Sequence, residues 1–351
     1  MSFGEHLENL YQIAMKLGLK GYEAKVYITL LLSGPLTSTD LAKLSKVPYS
    51  RIYDVIKSLE EKGLIEISNT RPRRYKAVDP RIALVNFISR KYYDSLKYAN
   101  QLIEFASQSK PSNEEKGVWM AKGKSAADNL IHKAITSANC ELLIAAYANF
   151  LKNYLDILKE KSKDVSICLV LLGSENISYE LFISVSDEVL HRPTRAPQFV
   201  IPDFSQVLVI VDHEKGEPIA YEITDENLMG IFAVYFFNYL RKEAKLIFRN
   251  LESLKKRRYS NLARALDHVR FLLSKGIAPS VSIVGRLAKS GEKVEIEGYA
   301  VDTYSDPLRG VETLLVKVGD RVVSVGGRGA YIEEIEAFEI EVRSYGISIR
   351  I

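Results

Sequence analysis

One helical pattern near the N-terminus, followed at once by a short hairpin, constrains the fold most. Between Tyr49 and Gly63, apolar residues recur at helical spacing and predict one buried stripe. They are Ile52, Val55, Ile56 and Leu59. The polar side chains between them must face away from that stripe, and Gly63 ends the helix. Such a helix packs on its neighbours through one face and leaves the other face free for a partner.

Two further helical patterns precede this one. Residues 21–33 carry apolar side chains at helical spacing, and the Gly-Pro pair that follows ends the helix. Residues 36–47 begin with a capping Thr or Ser and have an acidic residue in the first turn. We expect Leu41, Leu44 and Val47 of this second segment to face inward.

A hairpin with a basic tip follows the third helix. Residues 64–78 alternate apolar and polar side chains on both sides of a turn at Asn69–Pro72. The basic residues of the hairpin are Arg71, Arg73, Arg74 and Lys76. Helix, short helix, turn, helix and basic hairpin together indicate a winged helix-turn-helix, whose second helix lies in the DNA major groove.

The charge distribution agrees with this interpretation. Residues 37–81 contain ten Lys and Arg against six Asp and Glu, which gives +4, the net charge of the whole chain. A local basic excess is typical of a surface that binds an anionic partner, and a solvated face is the alternative.

We predict that the polar face of the third helix and the hairpin contact DNA. Arg51 can bond to guanine O6 and N7, Ser50 to a base edge or phosphate, and Tyr53 can stack or bond to phosphate. Alternatively, Tyr53 packs on the hairpin, and Asp54 and Lys57 form a pair in solvent. The predicted DNA-binding residues are Thr39, Tyr49, Ser50, Arg51, Tyr53, Lys57, Arg71, Arg73 and Arg74.

The segment after the hairpin predicts a dimerisation helix at residues 81–112. Seven positions follow a 4,3,4,3 spacing, which is typical of a coiled-coil seam. They are Val85, Ser89, Tyr92, Leu96, Ala99, Ile103 and Ala106. A helix packed on its own domain is the alternative. We predict dimerisation through Val85, Tyr92, Leu96, Ala99 and Ile103.

Alternating strands and helices from residue 113 predict an α/β domain with a largely parallel sheet. This layout resembles the phospholipase D-like domain, whose active members use two copies of His-x-Lys-x4-Asp. Here His213-Glu214-Lys215 matches the first half, Ala220 stands at the Asp position, and a second His-x-Lys is absent. We therefore predict a binding scaffold and not an enzyme, with no cofactor and no metal site.

The remaining sequence predicts an amphipathic helix at 254–276 and then a small antiparallel barrel or sandwich. The basic run Lys255–Arg258 is either a solvated helix start or a second DNA contact. The predicted fold class is multidomain α+β, with a winged helix-turn-helix at 1–80, a coiled-coil helix at 81–112, an inactive phospholipase-D-like domain at 113–276 and an antiparallel β module at 277–351.

This order of elements, with the motif "VPYSRIYDVIKSLEEKGLIE", resembles the archaeal TrmB family of sugar-responsive transcription regulators. The resemblance implies a sugar site between the middle and terminal domains, built around a Gly-x4-Ile-Glu loop that Gly327–Glu333 matches. The family's Asn on the preceding strand has no evident counterpart in this sequence, and Glu312 is the nearest candidate. Glu333 could instead be an outward residue on an acidic strand. The effector residues so implied are Glu312, Gly327, Arg328, Tyr331, Ile332 and Glu333.

The resulting hypothesis is a cytoplasmic, homodimeric regulator of sugar transport and metabolism genes. Its expected partners are double-stranded DNA and a mono- or disaccharide, and no membrane. The sequence lacks an apolar run near the ~18 residues of a membrane span, and Cys140 and Cys168 read as free, buried thiols. The rival hypotheses are an architectural protein that coats DNA without reading sequence or binding an effector, and a hydrolase with a winged-helix appendage.

Overall fold

The computed structural model describes residues 3–108, 116–173, 176–211, 217–252, 256–306 and 310–348. The chain divides into two compact units, Met1–Glu114 and Glu115–Ile351, which are described separately.

The described part of the first unit contains helices and one two-stranded hairpin. The helices are α1 Phe3–Lys16, α2 Gly21–Ser33, α3 Ser38–Ser45, α4 Tyr49–Glu61 and α5 Pro80–Gln108, and the strands are β1 Ile65–Ile67 and β2 Tyr75–Ala77. The predicted elements at 21–33, 36–47, 49–63 and 64–78 are confirmed, whereas α1 is an addition.

The predicted stripe of α4 is confirmed, because all four of its apolar residues are buried in one core with α2 and α3. The short helix α3 begins after Thr37, whose side chain accepts a bond from the Asp40 backbone N–H at 3.3 Å. The inward placement of Leu44 is wrong, since this side chain is 52% exposed. Helix α3 packs through Leu41 and Ser45, one turn apart, and Leu44 lies outside that line.

Polar contacts hold α4 and the hairpin in place. The buried carboxylate of Glu23 on α2 binds Lys62 at 2.5 Å and accepts a bond from Ser58 at 2.7 Å. Strands β1 and β2 pair antiparallel, with Ile65 opposite Ala77. Buried Tyr75 also exchanges backbone hydrogen bonds with Leu36, which fastens the hairpin to the start of α3.

Helix α5 leaves this core after its first turns. Ala83 is buried, and Leu84 and Phe87 pack partly against the core. Every residue from Ile88 to Gln108 is exposed. At 29 residues the helix is about 44 Å long, so most of its length has no packing partner within the described part of its unit.

The second unit begins with an eight-stranded sheet. Its strands are β3 Val118–Lys122, β4 Glu141–Tyr147, β5 Ser166–Leu172, β6 Glu188–Arg192, β7 Gln198–Pro202, β8 Val207–Val211, β9 Ile219–Ile223 and β10 Lys245–Arg249, in the order β10-β6-β5-β4-β7-β8-β9-β3. Among the described strands of this sheet, only β4/β5 and β5/β6 pair parallel. The prediction of a largely parallel sheet is therefore wrong. Strands β7 to β9 follow one another through short connections, and such connections join antiparallel neighbours.

Helices cover both faces of this sheet. They are α6 Lys124–Ser137, α7 Ala148–Leu151, α8 Leu155–Lys161, α9 Glu180–Ile183 and α10 Glu226–Val234, which continues as a π-helical segment, Tyr235–Arg241. Along β4, Leu142 and Ile144 pack in the core with α6 to α9, whereas Leu143 and Ala145 pack in the core with α10 and the π-helical segment. This alternation explains why the strand is apolar throughout.

A barrel with one helix follows. Its elements are β11 Lys256–Tyr259, α11 Leu262–Ser274, β12 Ile277–Leu287, β13 Lys293–Asp306, β14 Val311–Val318, β15 Arg321–Gly326 and β16 Ile335–Ser348. Consecutive strands from β12 to β15 pair antiparallel, as predicted, and β16 closes the barrel by pairing antiparallel with β12 and parallel with β15.

The helix predicted at 254–276 begins only at Leu262, after the capping residue Asn261. The basic residues before it form β11 instead, which pairs with β16. There, Arg257 binds Asp187 at 2.5 Å and Arg258 contacts Glu339, so these charges have partners in the fold. Helix α11 packs in the core of the barrel, and the boundary predicted at 276/277 separates it from the strands that it covers.

A buried ionic network joins the sheet to the barrel helix. Arg264 of α11 binds Glu141 at 2.7 Å and Glu188 at 3.1 Å. Glu188 also binds Arg241 at 2.9 Å and Arg249 at 2.6 Å. Burial alone would raise the pKa of Glu188, but the three arginines outweigh it and lower this pKa to about 2. The network therefore keeps Glu188 charged in the interior.

Two further predictions concern the cysteines and membrane-spanning segments. Cys140 and Cys168 are free and buried, as predicted, and burial raises the pKa of both thiols. No helix among the described residues combines the length and apolarity needed to cross a membrane.

Candidate nucleic-acid interface and ligand cavity

The exposed face of α4 presents the predicted polar side chains. Tyr49, Ser50, Arg51, Tyr53 and Lys57 are all exposed, and they lie opposite the buried stripe. The side chain of Arg51 is 66% exposed, and its contact with Asp54 at 3.9 Å is an ion pair of the weakest kind. Its guanidinium group therefore remains available to a stronger acceptor.

The two tyrosines form a small cluster at the start of α4. Their rings pack edge to face at 6.0 Å, and the Tyr53 hydroxyl lies 3.4 Å from that of Tyr49 and 3.5 Å from Ser38 Oγ of α3. Hydrogen bonds with Ser38 and Tyr49, together with the charge of Arg73, lower the pKa of Tyr53. The cluster thus lies where the predicted DNA contacts of α3, α4 and the hairpin come together. Thr39, the predicted contact on α3, is exposed.

The hairpin tip displays its arginines to solvent. Arg71, Arg73 and Arg74 are exposed, and their side chains have no ion pair among the described residues. The tip is shaped by Ser68, whose hydroxyl accepts a bond from the Arg74 backbone N–H at 2.8 Å. Lys76, further back, pairs with Glu66 at 2.7 Å. The three tip arginines are thus free to bind phosphate.

The predicted dimerisation residues are exposed on α5, and all but Val85 lie on its projecting part. Val85, Tyr92, Leu96 and Ile103 are 43% to 64% exposed, and Ala99 is exposed as well. Other large apolar side chains on this helix are also exposed. They are Ile82, Ile88, Tyr93, Tyr98, Leu102 and Phe105.

A cavity of about 680 Å³ lies between the helix α10 side of the second unit and the barrel. Its volume is within the range of small-molecule sites. All six residues that the family resemblance implies line this cavity. They are Glu312, Gly327, Arg328, Tyr331, Ile332 and Glu333.

Glu333 lies in the loop between β15 and β16 and not on a strand. It is 7% exposed, and its Oε1 accepts a bond from Thr313 Oγ1 at 2.8 Å. An outward residue on an acidic strand is therefore the wrong interpretation. The loop needs Gly326, because an added Cβ there would lie 2.7 Å from Glu333 Oε2. Gly329 has φ 82°, a backbone conformation that would be strained for a residue with a side chain.

The other implied residues differ in exposure. Tyr331 and Ile332 are 80% and 54% exposed at the cavity rim. Glu312, at the start of β14, is half-buried and lies 3.9 Å from Arg270. Of the two implied carboxylates, Glu333 is thus buried and Glu312 is more open.

Most of the remaining cavity wall escaped the sequence analysis. Its aromatic side chains come from three distant segments and are Phe204, Phe237 and Phe338. Its further polar residues include Glu226, Asn238, Asn261, Arg286 and Glu336. No local pattern in the sequence joins these positions, since they meet only through the packing of α10, β7 and the barrel.

The wall chemistry suits a ligand with both apolar and hydroxyl surfaces. Carboxylates such as Glu333 and Glu312 accept hydrogen bonds from hydroxyl groups, and Arg328 can only donate. Aromatic rings supply flat apolar surface on which a ring can rest. Paired donors and acceptors beside aromatic faces can hold a polyhydroxylated ring.

The phospholipase-D-like half motif gives no site in the described structure. His213, Glu214 and Lys215 lie outside the described residues, and Ala220 is a buried residue of β9. Among the described residues, no cluster of His, Cys, Asp and Glu has an arrangement that could hold a metal ion.

Three family descriptions match the chain in succession. Residues 13–81 match "Sugar-specific transcriptional regulator TrmB", residues 117–248 match the N-terminal subdomain of the TrmB effector-binding domain (EBD), and residues 254–345 match the TrmB/TrmBL1 C-terminal EBD subdomain. Together these matches cover most of both structural units.

Individual relatives are similar to different shares of the chain. The chain is 28% identical over 347 residues to the "HTH-type sugar sensing transcriptional regulator TrmBL1" of Pyrococcus furiosus, covering 94% of this chain and 97% of that protein. It is 42% identical over 67 residues to the "DNA-binding HTH-type transcriptional repressor TrmBL2" of Thermococcus kodakarensis, covering 19% of this chain and 25% of that protein. A solved structure of the archaeal chromatin protein TrmBL2 superposes with a TM-score of 0.43 at 22% identity, covering 68% of this chain and 99% of that one.

Proposed function

We propose that this chain, which belongs to the TrmB family of sugar-specific transcriptional regulators, reads specific DNA sequences under the control of a sugar. The observation behind this proposal is that one unit exposes a basic surface on α4 and the hairpin, while the other contains a cavity lined by polar and apolar side chains. A binding scaffold with no catalytic chemistry is sufficient for this role.

DNA reading is assigned to the exposed face of α4. Its N-terminal side chains would enter the major groove, with Arg51 bonding to a guanine edge. Tyr49, Ser50, Tyr53 and Lys57 would contact neighbouring bases or phosphates, together with Thr39 of α3. The hairpin arginines Arg71, Arg73 and Arg74 would bind phosphate and position the protein without reading bases.

Sugar binding is assigned to the cavity. Glu333 would accept bonds from two hydroxyl groups, and the glycines at 327 and 329 would let the backbone approach the ring. Glu312 offers a second acceptor. Tyr331 and Ile332 would cover the ligand from the rim. Coupling to DNA must be reciprocal, so the sugar changes DNA affinity by the factor by which DNA changes sugar affinity.

We propose a domain division that takes the packing into account. The coiled-coil segment is assigned to 81–112, of which 109–112 lie outside the described residues, and the effector half is divided between Asn250 and Lys256, because β11 and α11 pack with the barrel. Two copies of the chain would pair through the exposed seam of α5, because a two-fold dimer can read two half-sites.

The assembly has a direct test. Leu96→Lys would place a charge in the seam, and burying it without a partner is costly, so the dimer should dissociate. Sedimentation would measure the mass, with Lys97→Ala on the same exposed stretch as the control. A Leu96→Lys protein that remains a dimer would move the interface away from this seam.

The function is tested by footprinting the chain on its own upstream DNA with and without a panel of mono- and disaccharides. Calorimetry then compares wild type with Glu333→Ala. We expect the variant to lose sugar binding while its DNA affinity without sugar stays nearly unchanged. Glu334→Ala is the matched control, since Glu334 pairs with Arg321 and does not line the cavity.

Three outcomes would contradict parts of the proposal. Unchanged sugar affinity in Glu333→Ala would exclude this carboxylate from the site. A wild-type chain that binds none of the sugars would refute the effector class but leave DNA reading intact. Equal protection of all DNA sequences would favour a DNA-coating architectural protein.

A further inference from the structure

We propose that Arg328 is the fixed hydrogen-bond donor of the cavity, and that Phe204 and Phe338 are the positioning residues that hold it in place. The guanidinium carbon of Arg328 lies 5.1 Å from the centre of the Phe338 ring and 5.6 Å from that of Phe204. Both distances lie within the range of cation–π attraction. The inference deepens the proposed sugar site and rests on it.

The donor groups of Arg328 remain available to a ligand. Its side chain forms no hydrogen bond or ion pair with another described residue, although it lines the cavity beside charged groups. The neighbouring Arg286, by contrast, binds Glu336 at 2.5 Å. A guanidinium carries five N–H donors in one plane. Arg328 thus offers its donors to the cavity while ring contacts fix its position.

The two rings come from different halves of the effector unit. Phe204 follows β7 of the eight-stranded sheet, whereas Phe338 is on β16 of the barrel. The donor is therefore held correctly only when sheet and barrel are docked. The buried network around Glu188 keeps them docked, because Arg264 reaches from the barrel helix to two carboxylates of the sheet.

Phe204 is placed by a strained turn. Asp203 and Phe204 have φ 49° and 52°, a left-handed conformation that is uncommon for residues with side chains. The Asp203 carboxylate accepts backbone N–H bonds from Asn139, Cys140 and Glu141 at 2.7, 2.9 and 2.7 Å. These bonds stabilise the turn. Strain of this kind is concentrated at sites where a side chain must be held in one position.

Phe338 has a second cationic neighbour. Arg286 lies over the same ring at 5.6 Å, and its partner Glu336 also accepts the backbone N–H of Gly329 at 2.9 Å. Glu336 is buried. One carboxylate therefore fixes both the second guanidinium and the loop that carries Arg328.

This arrangement has a consequence for affinity. A side chain that is already fixed loses little conformational freedom when a ligand binds, so more of each hydrogen bond appears as affinity. Lysine could not replace arginine here, because an ammonium group lacks the planar fork that stacks on rings and reaches two acceptors. The rings would thus contribute to sugar affinity through Arg328.

The test is a double-mutant cycle by calorimetry, using the sugar from the mono- and disaccharide panel that binds wild type most tightly. We expect Phe338→Leu and Arg328→Ala each to weaken binding about tenfold or more. The double variant should bind within about twofold of Arg328→Ala, because the ring acts through the guanidinium. Phe338→Tyr keeps the ring and should keep wild-type affinity. The proposal would be overturned if the affinity losses of the two single variants multiplied in the double variant. It would also be overturned if Phe338→Leu bound the sugar with wild-type affinity.

A second measurement does not depend on a sugar. Phenylglyoxal modifies accessible guanidinium groups, and mass spectrometry can follow the peptide that contains Arg328. We expect several-fold faster modification at Arg328 in Phe338→Leu than in wild type and Phe338→Tyr, with Arg81 as the internal reference. An unchanged rate would refute the positioning role. If this rate rises but no sugar binds, the positioning holds and the proposed sugar function fails.

Discussion

The two units use arginine in opposite ways. In the first unit, Arg51, Arg73 and Arg74 project into solvent and have at most one weak partner among the described residues. In the second, buried Arg264 and largely covered Arg241, whose side chain is 13% exposed, share the carboxylate of buried Glu188. Exposed charges add little to stability and stay available to DNA, whereas buried charges must be paired and fix the parts that carry them.

The difference predicts contrasting responses to salt and substitution. Contacts between exposed cations and phosphate release counterions and weaken steeply as salt rises. Buried pairs are screened much less. Removing an exposed arginine should therefore alter DNA binding without altering stability, and removing a buried one should do the reverse.

The largest effect is expected from Arg264→Ala. This change leaves Glu141 without its arginine and removes one of three from Glu188, and breaking a buried ion pair typically costs about 3–5 kcal/mol in the free energy of unfolding. Denaturant unfolding would measure it. Lys133→Ala, which removes an exposed partner of Glu222, is the control and should cost less than about 1 kcal/mol. Equal losses in both variants would remove the contrast between buried and exposed charges.

Acid should weaken the second unit through Glu188. Its pKa is lowered from 4.5 to about 2 in the folded state, so its contribution is present above pH 4.5 and is lost as pH falls toward 2. The loss amounts to about 3 kcal/mol. Burial raises the pKa of Glu141, which offsets part of this loss. Denaturant unfolding of wild type and Glu188→Gln from pH 7 to pH 3 would test it, since the variant should depend less on pH.

The first unit could be predicted almost completely because its signals are local. Helix α4 shows its buried stripe within eight residues, and Gly63 marks its end. The exposed face then follows by elimination. Leu44 was misplaced because an eight-residue helix has too few turns for its spacing to define one face.

The second unit could be predicted only in part because its determinants are distant in sequence. Arg264 and Glu141 are 123 positions apart, and Arg264 and Glu188 are 76 apart. Nothing in either segment indicates the pairing. In the sequence, the three basic residues of the short strand β11 are typical of a helix start. Their strand conformation depends on pairing with β16, which is distant in sequence. The cavity loop at 327–333 was found through family resemblance, whereas Phe204 and Phe338 meet only in the fold.

Within the first unit, Arg51→Ala should weaken specific DNA binding by about 1–3 kcal/mol and relax preference at one base pair of each half-site. Arg81→Ala is a control, because Arg81 is also exposed but pairs with Asp79 and belongs neither to α4 nor to the hairpin tip. Binding to the specific site and to random DNA would be compared at one salt concentration. If both lose the same affinity, Arg51 contacts phosphate and does not read a base.

The smallest effect is expected at the hairpin tip. Arg73→Ala and Arg74→Ala should each weaken binding to all sequences alike, because phosphate contacts carry no sequence information. Each lost contact should flatten the slope of log affinity against log salt by roughly one unit. Unfolding stability should stay unchanged, since neither side chain has an ion pair among the described residues. Titrations at several salt concentrations would give the slopes. An unchanged slope would mean that the tip stays in solvent, and the excess positive charge of the first unit would then act through α4 alone.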